Sequence, residues 1–511
     1  SEDWLRMHIH RMQGSPIEAD EPRGLPLVKI LPQYLKDIGY INHIVGKWHL
    51  GFYKSKYTPT FRGFDSHLGY WTGSLSYYDH ILQSVHDNGV ILNGHDFRRN
   101  MTTAWDLDGQ YATDVFTNEA VNIIFNHSKE KPLFLYMCHL AVHAGNMGKW
   151  LEAPQSEIDK FRHIPDPNRR TYAAMVSKMD ESVGKVTSAL QNKGMLENSI
   201  IVFISDNGAP SVGYFQNWGS NYPLRGMKAT LWEGGVRGVA LIWSLLIKHP
   251  HRVSNELIHV SDWLPTLFRA AGGNVSDLPA NLDGKDQWDS IINNKKSVRT
   301  DLLLNINEVE RTAAFRAGPW KLILGTYGKN GSYDTYLGVS GSETINPTYN
   351  TTAVTSSPAW QALSSLSSST YKTLLQNKIL NLRQQATVKC NYSEKPKTTC
   401  NPSQTNQPCL FNIVADPCEM HDMSVTNEAT ARELYGEMVK LKQTLISQIN
   451  QPGDIIGANP AKFNNTWSPW YVEAREWIVN ANVLTVLIVA NTAAQTELIG
   501  ACCGGSQTIY P

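Results

Sequence analysis

The chain holds 511 residues, 41% hydrophobic and 18% charged, with 46 lysines and arginines balanced by 46 acidic residues. That composition excludes a disordered polymer, and the zero formal charge excludes the electrostatic footprint of a nucleic-acid binder or of a protein held on an anionic membrane. The length accommodates a large core and two to four domains of ordinary size.

Ser1-Glu2-Asp3-Trp4 is acidic and no apolar stretch follows, so the reading is that a leader has been removed or that the sequence is incomplete. Residues 30–38 predict a helix ended by Gly39, residues 112–125 a second helix, and residues 132–138 a buried strand. Residues 172–190 carry Met175, Val176, Met179, Val183 and Val186 at helical spacing before Gly194. The run 200–204 has no polar alternation and predicts a strand covered on both faces, with Ser205, Asp206 and Asn207 at its carboxyl end. Read alone, Asn207-Gly208 is also a hairpin-turn signal. Residues 238–243 predict another strand, and Ser261-Asp262 a capped helix start.

From about Asn305 the texture changes. A strand-like run at 313–324 precedes a Ser/Thr/Asn-rich stretch to Ser369, read as loop or insertion; a strand at 410–414 and an amphipathic helix at 430–449 follow. The organisation expected is an α/β domain over 1–304, a smaller α+β domain over 305–471, and an unassigned tail over 472–511. The apolar run 483–490 in that tail is too short to span a bilayer.

Two signals point to the secretory lumen. Sequons stand at Asn100, Asn126, Asn274, Asn330, Asn350, Asn391 and Asn464. Cys390, Cys400, Cys409 and Cys418 crowd a loop-rich segment and allow three disulfide pairings. Cys138, in an apolar run, reads as a buried thiol.

Chemically suggestive groups lie where this reading puts strand ends. Lys47 and His49 are two apart, so in an extended segment they share one face. His143 follows the strand at 132–138. Lys228 stands before Gly234-Gly235, whose glycines permit close backbone approach. Each alone is ordinary surface or turn chemistry. Together, two ammonium groups, two imidazoles and the Asp206-Asn207 pair suit a tetrahedral oxyanion bridged to a hard cation.

Gly46-Lys-Trp-His-Leu-Gly51, Arg62-Gly-Phe-Asp65, Ser205-Asp-Asn-Gly208, Leu231-Trp-Glu-Gly-Gly-Val-Arg237 and the run from Leu257 to Thr266 resemble the sulfatase family. The likeness is greatest to the arylsulfatase B (N-acetylgalactosamine-4-sulfatase), I and J group, and it runs in order from Glu21 to Tyr471. It implies an alkaline-phosphatase-like α/β sandwich, with a large mixed sheet between helices, and a C-terminal α+β domain with an antiparallel sheet. It also implies hydrolysis of sulfate esters of glycosaminoglycans or of aryl sulfates, with Ca²⁺. By that resemblance Asp206 and Asn207 are calcium ligands, Lys47 and Lys228 bind sulfate, His143 donates a hydrogen bond to it, and His49 partners the nucleophile.

The chain departs from the family at one decisive place. The family makes formylglycine from the cysteine of a Cys-x-Pro-Ser-Arg motif, and none of the seven cysteines here is followed by x-Pro-x-Arg. The family's N-terminal strand with paired aspartates is missing as well. The expectation is therefore a sulfatase by descent whose 511 residues are inactive as they stand, with calcium weakened or lost. The alternatives are a secreted, non-catalytic protein that binds sulfated glycans, and another phospho- or sulfo-transfer enzyme of the same superfamily. The implied partner is a sulfated carbohydrate or aryl sulfate, with no nucleic acid and no membrane span; the oligomeric state stays open.

Overall fold

Runs of β-branched and aromatic residues form the strands β1 (Ile41–Lys47), β2 (Ser66–Tyr70), β3 (Ile81–Val85), β4 (Ile91–His95), β5 (Arg98–Arg99), β6 (Thr102–Thr103) and β7 (Leu133–Cys138). In the computed structural model, which describes residues 17–86, 89–211, 216–308, 310–328, 331–334, 349–366, 370–390, 408–445 and 450–471, five of these make a mixed sheet in the order β6-β5-β2-β1-β7. β1 runs parallel to both β2 and β7, with Gly46 opposite Gly69 on one side and Cys138 on the other. Gly46 has φ 104, and a Cβ there would lie 1.9 Å from the Cys138 carbonyl oxygen, so only glycine lets the strands meet where β1 hands over to Lys47.

One face of the sheet is covered by the helices Ala112–Asn126 and Pro167–Lys193, which pack Phe116 and Met175 against Val45, Leu68 and Tyr70. The second helix is delimited as its sequence dictates. Asp166 accepts from the Arg169 amide at 2.7 Å, Pro167 occupies the first turn, and Gly194 closes the end in the left-handed region. Of its apolar stripe Met175 is buried, whereas Val176 is exposed. The other face packs Ile44, Trp48, Phe64 and Trp71 against Leu82 and Leu92 of the β3/β4 hairpin and against Trp467.

Among the described residues β8 (Ile201–Ile204) pairs with antiparallel β9 (Ala240–Trp243) alone. The expectation of a strand covered on both faces fails: β8 is half-buried, Ile204 is 41% exposed and Leu241 of β9 57%. Two strands make too narrow a layer for helices to cover. Among the described residues β7 likewise pairs on one edge alone, and its Tyr136 is 48% exposed.

β10 (Asp301–Asn307), β11 (Thr312–Ala317), β12 (Trp320–Leu324) and β13 (Cys409–Asn412) form a second, antiparallel sheet. The run expected as one strand at 313–324 is a hairpin, because Gly318, at φ 53, and Pro319 turn the chain. The Ser/Thr/Asn-rich stretch is not all loop either: it contains the helices Thr351–Thr355 and Pro358–Ser364, capped by Asn350 and Ser357. Periodicity is weak in such short helices, and the caps carried the signal. The helix Glu428–Lys442 covers one face of this sheet, and Leu231 and Trp232 cover the other. Residues 454–470 then return to the large sheet, where Trp470 meets Phe52. No described helix is long and apolar enough to cross a membrane. The tail 472–511 lies outside the described residues.

Candidate active site

β1 ends at Lys47, and the chain turns sharply past it. His49 sits at φ 54, a backbone conformation few non-glycine residues adopt, with its amide donating to the Trp71 carbonyl at 3.1 Å. Its ring packs against Gly73, where a Cβ would come within 2.8 Å of it. From the loop after β7, His143 donates through Nδ1 to the Ala144 carbonyl at 2.7 Å, because that oxygen can only accept. Nε2 is thereby left as an acceptor, and Lys228 Nζ donates to it at 3.3 Å.

The Lys228 loop is tied to the end of β8. The Gly208 amide donates to the Gly235 carbonyl at 2.9 Å and the Lys228 amide to that of Ala209 at 3.3 Å. Asp206 and Asn207 stand at that same strand end, with the Asn207 amide donating to Asp206 Oδ1 at 2.9 Å. A Cβ on Gly208 would lie 1.7 Å from the Gly234 carbonyl, so the two glycine segments interlock.

Electrostatics bind these residues into one cluster. Burial, and then Lys228, push the Lys47 ammonium down to about 8, with Asp206 and Cys138 opposing. Burial also lowers Lys228, again against Asp206. His143 falls to about 3 through burial and the two lysines, and is neutral at physiological pH. His49 lies well below its ordinary value through burial, Lys47, His143 and Lys228. The group therefore brings together Lys47, His49, His143, Lys228 and the carboxylate of Asp206, which acts on both lysines. Cations deprived of water with one carboxylate among them are poised for an anion.

The fit to calcium is poor among the described residues. Asp206 and Asn207 provide two or three oxygens against the six to eight that Ca²⁺ takes, and no cluster of three metal-ligating side chains forms at them. The nearest approach to the formylglycine motif is Cys400-Asn401-Pro402-Ser403-Gln404, which has glutamine in place of arginine and lies outside the described residues.

Cys390 is bonded to Cys418, and Cys409 is also in a disulfide. Cys138 is a free thiol, half-buried at the surface of the sheet, and its loss of solvent raises it to about 12. Asn100, Asn126, Asn274, Asn350 and Asn464 are exposed, while Asn330 and Asn391 fall outside the described residues. Two polar clusters gave no signal in the sequence: Lys321 with Glu233 and Glu419, and His80 with His95 and Asp108. No spacing motif links their members, so only the fold reveals them.

A protein-family model described as Sulfatase matches residues 7–273. Arylsulfatase J of Mus musculus is 36% identical over 477 residues, covering 92% of this chain and 71% of that protein. N-acetylgalactosamine-6-sulfatase of Mus musculus is 32% identical over 258 residues, and the match spans 45% of its length. The solved structure "Crystal structure of Ps i-CgsB" superposes with a TM-score of 0.59 at 23% identity, covering 89% of this chain and 84% of that one.

Proposed function

The chain belongs to the sulfatase family, and on that premise we propose that Lys47, His49, His143 and Lys228 form the recess that receives the sulfate group of a sulfate ester. The observation that carries the reading is the Lys228–His143 contact beside Lys47, where two half-buried ammonium groups share one carboxylate. An entering sulfate restores the solvation both lysines have lost and draws the Lys228 hydrogen bond away from His143 Nε2. The anion also favours a second proton on that ring, which makes both ring nitrogens donors. Fixed ammonium groups stabilise the charge that grows on oxygen as a sulfate ester breaks. Asp206 and Asn207 face the recess as oxygen donors, too few for a calcium shell, and no step is assigned to that ion.

The substrate class we assign is an arylsulfatase B-like one, a sulfated carbohydrate such as a glycosaminoglycan, or an aryl sulfate. The names of the relatives, an arylsulfatase J and an N-acetylgalactosamine-6-sulfatase, support the sulfate-ester class of that substrate. Expressed as these 511 residues, the chain binds sulfate and leaves the ester intact, because no cysteine carries the family's complete formylglycine motif. The Cys390–Cys418 disulfide and the exposed sequons support a lumenal or secreted location.

Calorimetric titration with sodium sulfate near pH 6.5 tests the recess. Binding should be present in the chain and fall at least about tenfold in Lys228→Ala; equal affinity in both removes the reading. In parallel, 4-nitrocatechol sulfate should not turn over. Hydrolysis abolished by Lys228→Ala would keep the recess and overturn the inactivity.

A further inference from the structure

We propose that His80, His95 and Asp108 form a second site, for a divalent transition metal of the Zn²⁺ type, which shares no residue with the sulfate recess. The tautomer of His80 is the starting point. Its Nε2 lies 3.1 Å from the Gln110 carbonyl, which can only accept, so Nε2 carries the hydrogen. Nδ1 is then a lone pair. It is fully buried, has no hydrogen-bond partner, and points at Asp108 Oδ1 from 3.6 Å. A lone pair aimed at a carboxylate oxygen is relieved either by a second proton on the ring or by a metal ion between them, and burial opposes the charged ring.

His95 completes the set. Its Nε2 donates to the same Asp108 oxygen at 2.7 Å, a proton a metal would displace, and the ligand atoms of all three residues lie within 4.8 Å of one another. A tetrahedral zinc ion with nitrogen and oxygen at about 2.0–2.1 Å separates its ligands by roughly 3.4 Å. The His80–Asp108 spacing is already close to that. Metal binding would exchange the His95–Asp108 hydrogen bond for two metal bonds, with a small rotation of the Asp108 side chain, which is 42% exposed.

Both imidazoles are held for the task. His80 stacks on Phe97 with centroids 3.9 Å apart, and His95 stacks on Trp105 at 4.2 Å. The Gln110 carbonyl acts as an outer partner that fixes the donor nitrogen of His80, as such groups do in zinc sites. Two nitrogens and one carboxylate oxygen select zinc-like ions over calcium, which takes oxygen alone. Asp108 leaves a solvent-facing position for water. The site would clasp the β3/β4 hairpin to the loop Trp105–Leu107 and, through the His95 amide and the Asn465 carbonyl 2.8 Å away, to the returning C-terminal segment.

The test uses the full chain after chelation. Co²⁺ titration should give a tetrahedral ligand-field spectrum at one equivalent, displaced by Zn²⁺, and Zn²⁺ should raise the unfolding temperature. Asp108→Asn changes an exposed side chain and should fold, yet should lose the Co²⁺ spectrum and weaken Zn²⁺ by roughly a hundredfold, no less than outer-partner changes cost. His95→Ala should do the same, and Asp206→Asn should leave the spectrum intact. No Co²⁺ spectrum, or one that survives Asp108→Asn or vanishes with Asp206→Asn, overturns the proposal.

Discussion

A fully buried lysine and a pair of half-buried ones in this molecule solve the same electrostatic problem in opposite ways. Lys321, on β12, is fully buried and lies 2.8 Å from both Glu233 and Glu419. Burial alone would lower it, but the two carboxylates outweigh burial and hold it above its ordinary value. Asp206 is the one carboxylate acting on Lys47 and Lys228, and burial outweighs it and pushes both down. The first group is closed: its carboxylates come from the protein, and the Glu233 amide donates to Glu419 at 2.7 Å as well. The second has no second carboxylate to match its two ammonium groups, and this is where the proposed sulfate would bind. A buried charge matched by the protein joins sheet to loop, and one left for a ligand to match is a binding site.

The sharpest way to break this comparison is Lys321→Met. It leaves two carboxylates buried without their ammonium and should cost about 3–5 kcal/mol, read as a lower denaturant midpoint or as lost soluble expression. A loss under about 1 kcal/mol would show that this group is not the structural one. Lys47→Met should behave in the reverse sense. Sulfate affinity should drop at least about tenfold, or about 1.4 kcal/mol, while the denaturant midpoint holds or rises. A variant that loses stability and affinity together would erase the distinction.

pH separates the groups further. Lys47 titrates near 8 in the fold and near 10.5 when unfolded, so across that window the unfolded chain binds more protons and stability should rise with pH. Sulfate affinity should move the opposite way, by up to about tenfold per unit above pH 8, because the neutral amine no longer attracts the anion. A pH-independent sulfate affinity between pH 7 and 9 would remove Lys47 from the recess.

A smaller effect is expected at Glu419. Burial, with Glu233 adding to it and Lys321 opposing, raises it to about 7 from an ordinary 4.5. The folded chain binds more protons in that interval, so stability should fall as pH rises from 4.5 to 7 and level off above. Glu419→Gln should flatten that part of the denaturation-midpoint profile. An unchanged slope assigns it to another group.

Much of the fold was legible before any coordinates. Residues 30–38, 112–125 and 172–190 became the helices Leu31–Asp37, Ala112–Asn126 and Pro167–Lys193, because caps, proline, glycine and a 3.6-residue stripe act locally. The ordered run from Gly46-Lys-Trp-His to Thr266 was enough to identify the family and, through it, the α/β sandwich with its smaller antiparallel domain. The β3/β4 hairpin was not read, since its strands mix Gln83, Ser84, Asn93 and Gly94 among few apolar residues and their pairing rests on Leu82 and Leu92 reaching a distant core.

The chain alone thus determined the local elements, the crowding of four cysteines and the residue types offered to an anion. The tertiary structure decided which of the three disulfide pairings includes Cys390–Cys418 and that β8 stays half exposed. It also brought Lys228 onto His143 across 85 positions, Lys321 onto Glu233 across 88, and His80 and His95 onto Asp108. Periodicity reports what a residue does with neighbours three or four places away. Convergence over many tens of positions depends on where the turns send the strands, and on which buried charges the finished core can match.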